Sequence, residues 1–84
     1  MFSKSCENAI RYIIYIASEN RLNRKVGLHE ICYNIDSSEP YTVKILQILV
    51  RKELVSSQKG LHGGFFSDTN QLKLPLIEIV NSID

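Results

Sequence analysis

Residues 28–51 read LHEICYNIDSSEPYTVKILQILVR, and the fold turns on them. Leu28, Ile31, Cys32 and Ile35 recur at i, i+3, i+4 and i+7, which is one face of a short helix over about 28–35. Asp36-Ser37-Ser38-Glu39-Pro40 then breaks the pattern as a turn. Ser38 suits the N-cap of a second helix, and Pro40 is tolerated in its first turn. That helix, about 39–52, turns Ile45, Leu46 and Leu49 toward a core. Lys44, Gln47 and Arg51 take the opposite face, with Tyr41 and Val43 flanking it near the start. Two short helices joined by so short a turn have helix-turn-helix spacing.

Downstream, Leu54-Val55-Ser56-Ser57-Gln58 reads as a strand, Lys59 to Gly64 as a tight connection, and Phe65-Phe66-Ser67 as the returning strand. A hairpin directly after the second helix makes the motif its winged form. Leu72-Lys73-Leu74 leads to Pro75, which suits the first position of a last helix over about 76–83. Upstream, residues 4–19 read as a helix capped by Ser3 or Ser5. Its stripe is Cys6, Ala9, Ile10, Ile13, Ile14 and Ala17, widened by Tyr12 and Ile16. A stripe so wide belongs to a helix central to the core or shared with a second chain. Residues 20–27 form a polar turn. The fold class is mainly α with a small β-hairpin, a winged helix-turn-helix occupying 1–84 as a single domain.

The composition agrees. A chain of 84 residues suits one small domain with little room for a deep enclosed active site. Apolar residues at 44% and charged residues at 23% argue against disorder. No apolar run approaches the roughly 20 residues of a membrane span. Met1 to Cys6 lacks the basic-then-apolar layout of a signal peptide, so the expectation is a cytoplasmic protein with no membrane partner. Net charge is only +1, but it is polarised: residues 1–25 hold a surplus of three positive charges and residues 65–84 a deficit of two. Cys6 and Cys32 do not make a disulfide framework. With His29 and His62 they are badly spaced for zinc, since Cys6 is remote and His62 lies in a Gly-rich loop. No metal or other cofactor is expected.

Nor is an enzyme. His29 and His62 have no partner spaced for nucleophilic catalysis, and Asp36 and Glu39 sit at a helix start, where carboxylates are favoured anyway. The helix over 39–52 instead has the chemistry to read duplex DNA. Around its start lie Ser37, Ser38, Tyr41, Thr42, Lys44 and Gln47. Gln can pair bidentately with adenine, and Lys can donate to guanine acceptors. Hydroxyls and free backbone N–H groups at a helix start suit phosphates. Glu39 opposes this at one point, because it repels phosphate, although a carboxylate can accept from cytosine. In the hairpin, Lys59 and the glycines Gly60, Gly63 and Gly64 suit a tip lying along the minor groove. A phosphate-cradling loop is the weaker reading, for no helix follows Gly64 directly. Lys4, Lys44, Arg51 and Lys59 would supply the cationic contacts to phosphates.

Three stretches carry a family resemblance. Phe2-Ser3-Lys4-Ser5-Cys6 running into Ala9-Ile10-Arg11-Tyr12, Tyr41 to Val50, and Leu54 to Phe65 resemble the opening helix, recognition helix and wing of one family. It is the bacterial winged helix-turn-helix transcription regulator family of IscR, NsrR and CymR (the Rrf2 family), and the likeness is to its DNA-binding part. Ile77-Glu78-Ile79-Val80 is similar to the helix after the wing. The resemblance implies that Ser38, Tyr41 and Lys44 meet DNA, that Lys59 reaches the minor groove, and that Gly60, Gly63 and Gly64 are the wing glycines. His62 stands where glycine is commonest, and Ile48 where a charged residue is common. Family members usually continue into a cysteine-bearing loop and a long dimerisation helix. This chain stops at Asp84, and Cys6 and Cys32 do not match the cluster cysteines, so no iron–sulfur cluster is expected in it. A homodimer through the first helix and the last is expected. The rival readings are a winged-helix docking module, anchored by Ile48 and Tyr41, and a truncated antagonist of a full-length relative.

Overall fold

The computed structural model describes residues 3–72. Helix α1 spans Lys4–Asn20, α2 Leu28–Ile35 and α3 Glu39–Arg51. Strands β1 (Ser56–Gln58) and β2 (Gly64–Phe66) follow, then a one-turn helix α4 (Thr69–Leu72). The helix expected over 76–83 lies outside the described residues.

Helix α1 starts at Ser3, whose Oγ accepts from the Cys6 N–H at 3.1 Å, and Glu7 in the first turn suits the positive end of the helix dipole. Its buried line is Cys6, Asn8, Ala9, Tyr12 and Ile16. This line is rotated from the expected stripe: Ile10, Ile13 and Ala17 are half-buried, and Ile14 is 61% exposed. Tyr12 holds the centre because its hydroxyl finds partners inside the protein, which removes the penalty for burying it.

The segment after α1 is more than a polar turn. Arg24 bridges Glu19 at 3.5 Å and Glu30 at 2.8 Å, joining the end of α1 to α2. Val26 is fully buried and pairs with Phe65: its N–H donates to the Phe65 carbonyl at 3.1 Å and its carbonyl accepts from the Phe65 N–H at 2.7 Å. A third strand position thus backs the hairpin. Lys25 lies over the Phe66 ring, 5.4 Å from its centroid.

Helix α2 has the expected limits, with Ile31 buried and Leu28, Cys32 and Ile35 half-buried. It ends at Asp36, which adopts the left-handed conformation (φ 57, ψ 57) that reverses the chain toward α3. Ser38 holds the N-cap position of α3, but its side chain makes no capping hydrogen bond. Thr42, Ile45, Leu46 and Leu49 face inward. Leu54 and Val55 were expected in the first strand. They are buried instead in the bend that closes α3, where both N–H groups donate to the Leu49 carbonyl, at 2.9 and 3.4 Å. The hairpin is antiparallel, with Ser56 opposite Phe66, Ser57 opposite Phe65 and Gln58 opposite Gly64.

Ala9, Tyr12, Ile16, Val26, Ile31, Ile45, Leu46, Leu49, Leu54 and Val55 form one core, drawn from all three long helices and the base of the hairpin. Each large aliphatic among them contributes about 1.5–3 kcal/mol by leaving water. Helix α4 begins with a reciprocal cap. The Gln71 N–H donates to Asp68 Oδ1 at 2.7 Å, and the Asp68 N–H donates to Gln71 Oε1 at 2.9 Å. Gln71 also donates to the Glu53 carbonyl (3.1 Å) and accepts from Ser56 Oγ (3.0 Å), fastening the segment to the hairpin base.

Candidate nucleic-acid interface

The outer face of α3 follows from its inner one. Because Thr42, Ile45, Leu46 and Leu49 are buried, Lys44, Gln47 and Arg51 point to solvent, and all three are exposed. Gln47 and Arg51 line a groove of about 660 Å³ between α3 and the hairpin. Ser57, Lys59 and Phe65 line it from the hairpin side, and Leu28, Val43, Leu46 and Val50 complete it. The structure therefore brings Gln47, Arg51 and Lys59 to one concavity. Among the described residues, Lys4, Lys44, Arg51 and Lys59 form no ion pair.

The start of α3 is fixed by polar contacts. Ser38 is exposed there. Tyr41 is half-buried; its hydroxyl accepts from Asn8 Nδ2 at 3.1 Å and donates to Ser5 Oγ at 3.4 Å, which sets α3 against the first turn of α1. Lys4, exposed, is the residue next to Ser5. Glu39 Oε2 lies 3.3 Å from His29 Nδ1, which ties the first turn of α3 to α2.

Thr42 must be removed from the candidate contacts. It is fully buried, and its Oγ1 donates to the Ser38 carbonyl at 2.7 Å. Ser37 goes with it, since its Oγ lies 2.6 Å from Thr42 Oγ1 and accepts from the Tyr12 hydroxyl at 3.2 Å. The signal was present: position 42 stands three and four residues before Ile45 and Leu46, on the inward face. A hydroxyl residue near a helix start nevertheless reads as a surface group.

In the hairpin, Lys59 and Gly60 are exposed, and Gly60 takes φ +109 at the turn. Gly63 and Gly64 have a packing reason instead. A Cβ on Gly63 would overlap the Gln58 carbonyl, and one on Gly64, at φ +141, would sit 2.9 Å from the Val26 oxygen. These two shape the wing and let the strands meet. Ile48 is half-buried, so it is not the freely exposed anchor that a docking module would present.

Away from this face, the Tyr15 hydroxyl donates to Glu30 Oε2 at 3.0 Å. Burial first, then the hydrogen bond and negative charge of Glu30, push its pKa above the ordinary tyrosine value.

A paired α2–α3 turn, a cationic outer face on α3 and a hairpin beside it define a winged helix-turn-helix protein. The chain belongs to the Rrf2 family: the family model, described as an iron-dependent transcriptional regulator, matches residues 2–84. Its fold is similar to that of T. potens IscR, with TM-score 0.86 and 19% identity over 100% of this chain and 61% of that one. It is also similar to CymR (YrzC), the global cysteine regulator of B. subtilis, with TM-score 0.84 and 18% identity over 100% of this chain and 64% of that one. A candidate transcriptional regulator of Listeria innocua matches with TM-score 0.85 and 17% identity over 100% of this chain and 58% of that one. The chain thus spans 58% to 64% of the length of these structures. A comparison with curated proteins finds no match.

The family description names iron. Among the described residues, no three His, Cys, Asp or Glu side chains come together as a metal-binding set. Cys6 is buried on α1 and Cys32 half-buried on α2. The described residues therefore do not fit an iron centre. No helix among them is long and apolar enough to cross a membrane.

Proposed function

We propose that residues 1–84 act as a single winged-helix DNA-binding domain of a transcription regulator, working in the cytoplasm without catalysing a reaction. Helix α3 enters the major groove and the hairpin meets the adjacent minor groove. Lys44 and Gln47 read base edges, while Lys4, Ser38, Arg51, Lys59 and the Gly60 backbone hold phosphates, and Tyr41, whose hydroxyl proton goes to Ser5, fixes the start of α3 beside them. The observation that carries this reading is the shared exposed face of Lys44, Gln47 and Arg51, with Lys59 across one groove from the last two. Family membership supports it.

A two-fold operator requires a dimer. Ile14, 61% exposed on α1, with half-buried Ile10, Ile13 and Ala17 beside it, supports a homodimer through α1. This reading places no iron–sulfur cluster within residues 1–84.

The test is fluorescence anisotropy with a labelled duplex from the upstream region of the chain's own gene, against a scrambled duplex. Three phosphate-binding cations, Lys4, Arg51 and Lys59, give a slope of about −2.7 in log K against log salt, so affinity falls about fortyfold between 50 and 200 mM. Absence of binding at low salt by the folded chain would sink the reading and favour a docking module or an antagonist of a longer relative. Mixing with such a relative would then reveal a heterodimer.

A further inference from the structure

The wing tip carries a side chain that neither the core nor the cationic face uses. The Gly63 N–H donates to the Gly60 carbonyl at 3.1 Å, so Gly60 to Gly63 form a turn with Leu61 and His62 at its two central positions. Leu61 is 94% exposed, more than any other large apolar side chain among the described residues. Such a leucine contributes nothing to the fold by burial. Its platform is firm, because the hairpin is paired on one side by β1 and on the other by Val26, and Gly63 is packed against the Gln58 carbonyl. From Leu54 to Ser67 the chain has no acidic residue, and Lys59 stands two positions from Leu61. The tip is a rigid apolar point on a cationic, acid-free arm.

We propose that Leu61 is a minor-groove wedge. Its side chain presses between two stacked base pairs, partly unstacks them and kinks the duplex, while Lys59 holds a neighbouring phosphate. Unstacking costs least at pyrimidine–purine steps, so Leu61 sets a sequence preference under the wing without a hydrogen bond to any base. This rests on the DNA-binding reading above and adds a specificity-determining residue to it.

The experiment starts with duplexes selected by this chain from a random-sequence pool. The parent chain and Leu61→Ala are compared by anisotropy for affinity, by energy transfer between end labels for bending, and by thermal unfolding. Leu61→Ala is expected to melt at the parent temperature, bind about tenfold more weakly and bend the duplex less. Duplexes reselected with Leu61→Ala are expected to lose the pyrimidine–purine step. Equal affinity and equal bending would overturn the wedge while leaving DNA binding intact. Weaker binding with unchanged bending overturns it too, because Leu61 would then be a plain contact. Failure of the folded parent chain to select any duplex overturns the wedge and the DNA-binding reading together.

Discussion

The Tyr12 hydroxyl donates to Ser37 Oγ at 3.2 Å, joining the middle of α1 to the turn between α2 and α3. The directions of the neighbouring bonds follow. Thr42 spends its one hydroxyl proton on the Ser38 carbonyl, so it must accept from Ser37, 2.6 Å away. Three hydroxyls thus form a one-way relay that ends on the N-cap carbonyl of α3. Chains of this kind are cooperative and costly to interrupt, since a buried group is left without a partner. Thr42→Val keeps the shape and removes the last hydroxyl of the relay, leaving Ser37 without its acceptor. It is expected to cost about 1–3 kcal/mol, lowering the melting temperature by about 4–8 °C per kcal/mol in a domain of this size. Thr42→Ser should recover most of that loss. Equal melting of the valine variant and the parent would remove the relay from the account of how α3 is held.

The same relay shows what the sequence could and could not tell. Helices α2 and α3 were legible because their apolar residues repeat at helical period with no competing pattern. Lys44, Gln47 and Arg51 were legible as the complement of Ile45, Leu46 and Leu49. Tyr12 and Asn8 were not ranked as the centre of α1, because their burial depends on partners 25 and 33 residues away. Local hydropathy placed Ile14 there instead. Thr42 was assigned to the surface by its residue type, although its position pointed inward. Val26 was illegible as a strand residue, since one bridging pair has no period. The Asp68–Gln71 cap has the spacing of a capping box, but Pro75 draws the expected helix start further along the chain.

The salt dependence of DNA binding separates the cations. Arg51→Ala and Lys59→Ala each remove one phosphate contact and should each reduce the magnitude of the log–log slope by about 0.9. Lys44→Ala should act differently, because it reads a base edge. It is expected to cost about 1–3 kcal/mol on the selected duplex and much less on unrelated DNA. The check is a titration of all three variants at several salt concentrations on both duplexes. Equal losses on both duplexes for Lys44→Ala would move that residue to the phosphates.

Two wing glycines should respond differently to alanine. At Gly60 nothing lies within 4 Å of an added Cβ, so only the φ of +109 is strained, at a cost of about 1–3 kcal/mol. At Gly63 the added carbon meets the Gln58 backbone, which belongs to the paired strand and cannot yield without breaking the hairpin. Gly63→Ala is therefore expected to open the wing. The readout is faster amide exchange at Phe65, whose N–H is bonded to the Val26 carbonyl, with protection of α3 retained. Unchanged Phe65 protection would mean that the turn can re-form around a side chain.

Tyr15 gives the pH dependence its sign. Its pKa is raised in the folded protein, first by burial and then by Glu30, so the folded state keeps the phenol proton after the unfolded chain begins to lose it. The stabilisation is fully present below the unfolded value of about 10 and disappears as pH rises through the folded value. Tyr15→Phe removes the ionising group together with the bond to Glu30 Oε2, which keeps Arg24 as a partner at 2.8 Å. The variant should be slightly less stable than the parent at neutral pH, and the gap should narrow as the parent loses stability above about pH 10. Denaturant titrations of both chains at pH 7, 9 and 10.5 measure the gap. A gap that widens with alkalinity would reverse the sign and place the Tyr15 anion, not the phenol, in the folded protein.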